Sequence, residues 1–285
     1  MHKEPRFLII AGAAKCGTTS LARWLGSQDG LFLSENKEPR FHTDFSRRSW
    51  HSETTSRFLE TLVSKENDYF RLFEPANQGD WLIDASTDYM WCDASPEMLH
   101  DFSKRFDVEV VVILRDPVAR AFSEYQHTVK IEFEDYSFRR SLELEMKRIN
   151  FGYHPLFYHL ERSKYFKNLL KLLEIFGNRL TILDYEKINN LPYIQDKLIT
   201  KLQLRVKPQS EIGRENASFG RTALMIRKAI LNQRLRQIVR PFLSKKIRHR
   251  IFENINQFTT FTDNINLEDA CHISELLQHD VQACR

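Results

Sequence analysis

Short apolar runs alternate with polar stretches of helical period through the first two thirds of the chain. Phe7-Leu-Ile-Ile-Ala11 and Val108-Glu-Val-Val-Val-Ile-Leu114 have the length and β-branched content of buried strands. Leu31–Leu33, Trp81–Ala85 and Arg179–Tyr185 are further strand candidates. Between them the spacing predicts helices over 18–26, between 52 and 73, near 95–105, from Val118 to about Lys130, at about 137–149 and over 155–176. Strands that alternate with helices predict an α/β fold: a central parallel sheet with helices on both faces. The sheet is expected over about 7–188 and a mainly helical part over about 189–285, as one domain spanning 1–285.

Two of these strands end in turns that carry chemistry. The first runs into Gly12-Ala-Ala-Lys15-Cys16-Gly17-Thr18-Thr19-Ser20 and then into a helix. A tight turn into a helix N-terminus forms an anion site, because unpaired N–H groups and the helix dipole both face it. Lys15 adds a formal charge. Its order differs from a Walker A loop, which ends Gly-Lys-Ser/Thr; here lysine precedes glycine. The fourth strand ends in Arg115-Asp116-Pro117, with Ser123 about two helical turns further on. Arginine at the carboxyl end of a parallel strand stands where open α/β sheets place ligands. A guanidinium fork with a nearby hydroxyl matches a phosphate monoester.

These two segments together resemble the 5′-phosphosulfate loop and the 3′-phosphate motif of sulfotransferases that use 3′-phosphoadenosine 5′-phosphosulfate (PAPS). Ser34-Glu-Asn-Lys37-Glu38-Pro39-Arg40-Phe-His42 is similar to the Lys-Glu-Pro-x-Phe-Phe segment of bacterial members and its counterpart in heparan sulfate sulfotransferases. The resemblance implies a P-loop-like fold and sulfuryl transfer from PAPS to a hydroxyl, with no metal required. It implies donor binding by Lys15, Cys16, Gly17, Thr18, Thr19 and Ser20 at the 5′ end, and by Arg115 and Ser123 at the 3′-phosphate. Arg221, closing the loop Arg214–Arg221, is expected to join them. Glu38 matches the family's general base. A carboxylate in hydrogen-bond reach can take the proton of an attacking hydroxyl. His42 is a rival base, because imidazole titrates near neutrality. Leu82-Ile-Asp84-Ala85-Ser-Thr87-Asp88-Tyr89 aligns with a further family motif but departs from it. Ala85 replaces a catalytic lysine of the heparan sulfate enzymes, which leaves more of the leaving-group stabilisation to Lys15, with Lys37 as a helper. Asp84 and Asp88 are candidates to orient the acceptor or Lys37. The implied acceptor is a carbohydrate hydroxyl, with a small natural product or lipid as the alternative. A P-loop kinase-like phosphotransferase and a non-catalytic anion- or glycan-binding protein are the rivals from other classes.

Composition changes this picture only in part. The chain has 285 residues and a net charge of +4. Ten Lys and Arg between Arg221 and Arg250, with no acidic residue among them, leave the remainder at −6. Leu224, Leu231, Leu235 and Ile238 recur there at helical spacing. Such a tract is either a solvated helix face or an attraction for an anionic acceptor or surface. It carries no nucleic-acid motif, and no nucleic-acid partner is expected. No apolar run reaches the ~20 residues that span a bilayer. Met1–Arg6 lacks a signal-peptide core, so the expected address is cytoplasmic. The four cysteines are scattered without metal-ligand spacing. Cys16 has either the helix-terminus setting that lowers a thiol's pKa or a packing role in a tight turn.

Overall fold

The computed structural model describes residues 5–50, 55–131, 133–207, 212–213, 271–272 and 275–277, the side chains of 55–57 excepted. Arg221, the loop 214–221 and the basic tract 221–250 therefore lie outside the described residues.

Five strands form one parallel sheet: β1 (Arg6–Gly12), β2 (Leu31–Leu33), β3 (Trp81–Asp84), β4 (Asp107–Leu114) and β5 (Leu180–Asp184), in the order β2-β3-β1-β4-β5. Every side chain from Phe7 to Ala11 is fully buried, as expected of a central strand covered on both faces. The ring of Phe7 packs edge-on against Phe102 at 4.8 Å and Phe73 at 5.7 Å. Those contacts seat α4 (Ser95–Ser103) and the segment after α3 (Glu66–Arg71) on one face.

Strand order decides where ligands meet the sheet. The chain leaves β1 toward β2 and β3 on one side, then crosses to β4 and β5 on the other. At such a switch point the loops after adjacent strands diverge and open a crevice at the carboxyl ends. The loops after β1 and β4 carry Lys15 and Arg115. Register slips between Ile10–Val111 and Gly12–Val112, so Ala11 is an extra residue on β1. A bulge of this kind re-aims the following chain. Gly12 is required beyond its φ of 151°: a Cβ there would lie 2.6 Å from Met90 Cβ.

α1 (Thr18–Gly26) buries Leu21, Ala22, Trp24 and Leu25. α2 (Thr55–Glu60) and α3 fall within the expected helical stretch. α5 (Pro117–Lys130) starts where Asp116 accepts the Ala119 N–H at 2.8 Å and Pro117 takes the first helical position. α6 (Phe138–Asn150) is capped by Ser137. The expected helix over 155–176 is instead α7 (Phe166–Phe176), preceded by 3-10 turns at Pro155–Phe157 and Glu161–Ser163. Tertiary partners take the backbone groups that a helix would need. The His159 carbonyl accepts from Arg120 at 2.6 Å, and the Leu160 and Glu161 N–H groups donate to Glu145. The chain continues through α8 (Leu191–Ile194) and a π-turn at Gln195–Ile199.

Candidate active site

The residues after β1 form a cradle. Lys15 has φ 69° and Gly17 φ 78°, both left-handed. A non-glycine residue there holds strain of order 1 kcal/mol, and such strain concentrates at ligand-holding turns. Gly17 is the N-cap of α1 and no side chain caps it. A Cβ on Gly17 would meet Ile188 Cδ1 at 3.0 Å. The first turn of α1 thus offers N–H groups that no intrahelical carbonyl can take. Burial lowers the Lys15 pKa; Lys130, Arg120 and Arg115 push the same way and Glu124 opposes them. An anion bound in the cradle relieves both burial and repulsion.

Arg115 stands beside this cradle. Its Nη1 donates to the Lys15 carbonyl at 3.4 Å and its guanidinium lies 4.4 Å from the Tyr185 ring centroid. Its buried Nε has no protein partner. Lys15, Gly17, Thr18, Thr19, Ser20, Arg115 and Ser123 all line one cleft of about 700 Å³. An adenosine bis-phosphate donor fits these residues: a phosphate-shaped backbone cradle at one end, and a fork with an unused donor and a hydroxyl at the other.

Glu38, from the loop after β2, lines the same cleft. Its Oε1 accepts from Lys37 Nζ at 2.7 Å and its Oε2 from Arg40 Nη2 at 2.5 Å. Lys37 also donates to the Ala85 carbonyl at 3.2 Å. It holds Glu38 and is absent from the cleft lining, so it braces the candidate base where acceptor or leaving-group contact was expected. Asp88 does line the cleft, yet it is 4% exposed and both of its oxygens are taken, by Arg40 Nε at 2.6 Å and Arg162 Nη2 at 2.7 Å. Although burial pushes the other way, those two cations hold its pKa below the usual carboxylate value.

Three expectations need correction. Asp84 is fully buried and accepts from Ser86 N, Ser86 Oγ, Tyr69 Oη and Tyr89 Oη. It ties β3 to two tyrosines and has no face toward an acceptor. His42 is 2% exposed among the rings of Phe41, Tyr69, Tyr89 and Phe102. It is not among the residues that line the cleft, and burial pushes its pKa down to about 3, so it is not a base that titrates near neutrality. The Cys16 thiol points inward, 3.8 Å from Tyr165 Oη, and burial raises its pKa to about 11. Desolvation therefore outweighs the helix terminus, and the Cys16 N–H is taken by the Ala13 carbonyl at 3.2 Å; Cys16 packs the turn, the second of its two expected settings, and is absent from the cleft lining where donor contact was expected.

The buried histidines carry a pH signature. His159 is also fully buried, and burial pushes its pKa down to about 3, with Glu124 opposing. In the unfolded chain each imidazole titrates near 6.5. Above that pH both states are neutral and nothing is lost. As pH falls from 6.5 toward 3, the unfolded chain takes up protons that the folded one refuses, at about 1.4 kcal/mol per histidine per pH unit. Between pH 7.5 and 5.5 these two histidines alone remove about 3 kcal/mol, or about 5 °C in Tm. His42→Phe suits the aromatic surroundings and removes about half of that loss. Calorimetry at the two pH values checks it; a variant whose Tm falls as far as the parent's contradicts the assignment.

Sequence reading missed the partners that fix this site. Arg162 bonds Asp88 with one nitrogen and Glu124 Oε1 with another at 2.8 Å. Glu124 Oε2 lies 2.6 Å from Arg120 Nη1, both side chains buried. The one available signal was Arg120 and Glu124 at i, i+4 on α5 beside Ser123. His127, one turn beyond Ser123, also lines the cleft. Burial, assisted by Lys15, pushes its pKa down to about 4.

Comparison with known proteins bears on the family and the fold. Residues 5–191 match the family model described as a sulfotransferase domain. Among solved structures, a sulfotransferase from Alicyclobacillus acidocaldarius superposes with a TM-score of 0.67 at 27% identity, over 84% of this chain and 96% of that one. The sulfotransferase domain from the curacin biosynthetic pathway shares 14% identity over 96% of this chain and 98% of that one, with a TM-score of 0.46. No curated protein matches the sequence.

Proposed function

We propose, for a chain that belongs to the sulfotransferase family, that it moves the sulfuryl group of PAPS to a hydroxyl on a carbohydrate or glycoconjugate. The observation that carries this reading is the convergence of the Lys15 cradle, the Arg115–Ser123 pair and Glu38 on one cleft. PAPS, which this family generally uses, supplies an electrophilic sulfuryl group on a phosphate leaving group. Lys15, Gly17, Thr18, Thr19 and Ser20 would hold the 5′ end, and Lys15 would meet the negative charge that grows on the departing phosphate oxygen. Arg115 and Ser123 would hold the 3′-phosphate and so fix the nucleotide's register. Glu38 would accept the acceptor's proton as the new oxygen–sulfur bond forms.

A sugar acceptor fits the rest of the lining. Arg40, Gln126, His127, His154 and Asn189 offer mixed donors and acceptors, while Phe58 and Leu156 add apolar surface. A ring bearing many hydroxyls presents that same mixture of edge and face. The expected address remains cytoplasmic; among the described residues no helix is long and apolar enough to cross a membrane. Labelled sulfate from PAPS, offered with oligosaccharides, simple phenols and lipids bearing free hydroxyls, tests the acceptor class. Label in the oligosaccharide is expected. Label confined to phenol or lipid overturns the carbohydrate reading and leaves the donor half intact.

A further inference from the structure

Seven charged side chains form an unbroken alternating chain through the molecule: Lys37, Glu38, Arg40, Asp88, Arg162, Glu124 and Arg120. Its links span 2.5 to 2.8 Å. It crosses segments that follow three different strands. Glu38 and Arg40 come after β2, Asp88 after β3, and Glu124 lies on the helix after β4, next to Ser123. Arg162 joins the last two. We infer that Asp88 and Arg162 are positioning residues for sulfuryl transfer, acting through Arg40 on Glu38, an inference that rests on reading Glu38 as the base.

Glu38 has a flexible side chain on a loop, about a quarter exposed, and alone would sample several rotamers. Arg40 removes that freedom. Its own backbone is fixed at φ 54° with its N–H on Ser86 Oγ at 2.9 Å. Its Nη1 donates to the Glu38 carbonyl at 3.0 Å. Its Nε is turned onto Asp88. The planar fork thereby aims one nitrogen at Glu38 because another is anchored elsewhere. Asp88 is in turn fixed by Arg162, whose two terminal nitrogens reach Asp88 and Glu124. The candidate base is thus referenced to the helix that carries Ser123, so donor and base keep one spacing.

Charge sharing gives Asp88 a second effect. When Glu38 takes a proton it no longer compensates Arg40. Asp88 still does, so the guanidinium is never left buried with no anion beside it.

A double-mutant cycle tests this, with kcat for sulfate transfer and affinity for adenosine 3′,5′-bisphosphate measured in each variant. Asp88→Asn is expected to lower kcat by ~10- to 100-fold, the range for displacing a reacting group by about an ångström, and to leave the nucleotide's Kd within about twofold of the parent's, because both Asp88 oxygens are spent on Arg40 and Arg162 and neither pairs with Lys15, Arg115 or Ser123. In the Glu38→Gln background Asp88→Asn should cost nothing further, because residues acting as one unit are not additive. Arg162→Lys keeps its charge but cannot span two carboxylates. It provides the same cycle if Asp88→Asn fails to fold, with an expected loss of ~10-fold. Losses that multiply in the Glu38→Gln background, or an unchanged kcat in either single variant, overturn the positioning role. Full activity of Glu38→Gln alone overturns the base assignment instead, so the two failures are distinguishable.

Discussion

Lys15→Met is expected to lower kcat for sulfate transfer by ~10²–10³-fold, the usual effect of removing one preorganised donor from developing charge. Lys15 is a backbone-fixed cation, held at positive φ between a bulged strand and the N-terminus of α1. Affinity for adenosine 3′,5′-bisphosphate should fall far less than kcat, because Arg115, Ser123 and the loop N–H groups remain. The split between kcat and Kd separates transition-state stabilisation from ground-state binding. Equal losses in both would make Lys15 a simple donor-binding residue.

Glu124→Gln is expected to destabilise the fold by about 3–5 kcal/mol, the cost of breaking a buried ion pair from one side. For a chain of this size that lowers Tm by about 5–8 °C. Arg120 is 0% exposed and Glu124 1%. Burial opposes the charge on each, and their mutual attraction prevails: Arg120 is held above its usual value and Glu124 below its own. Arg120 further donates to Ser163 Oγ and the His159 carbonyl at 2.6 Å each. Glutamine keeps the shape but leaves two guanidinium groups facing a neutral amide. Arg120→Met combined with Glu124→Gln should recover part of the loss, since it removes one stranded charge. No recovery in thermal denaturation would assign the cost to packing instead of charge.

The parts legible in the sequence are those whose signal is local. β1 and β4 announce themselves as β-branched runs, and the turns after them carry their chemistry within ten residues. Asp116-Pro117 marks the start of α5 by capping alone. Failures arise where distance in sequence decides. Asp88 and Arg162 are 74 positions apart, and nothing in either neighbourhood announces the pair. Asp84 and Asp88 have the same charge and sit four residues apart. Only burial separates a carboxylate sealed among tyrosines from one clamped by two arginines at the cleft. His42 was attractive because free imidazole titrates near neutrality, an argument that lapses once four rings surround it. The helix expected over 155–176 begins late because Arg120 and Glu145 claim backbone groups that periodicity assigns to the helix ladder.

Isothermal titration with adenosine 3′,5′-bisphosphate, adenosine 5′-monophosphate and ATP–Mg²⁺, each against the parent and Arg115→Ala, tests the two-phosphate donor site most directly. The parent should bind the bisphosphate without metal and prefer it to the monophosphate by ~10²-fold or more, which is the scale of losing a charge-assisted fork of about 3 kcal/mol. Arg115→Ala should erase most of that preference. Equal affinity for the two adenosine phosphates, or tighter binding of ATP–Mg²⁺ than of the bisphosphate, would contradict the assignment of Arg115 and Ser123 to the 3′-phosphate.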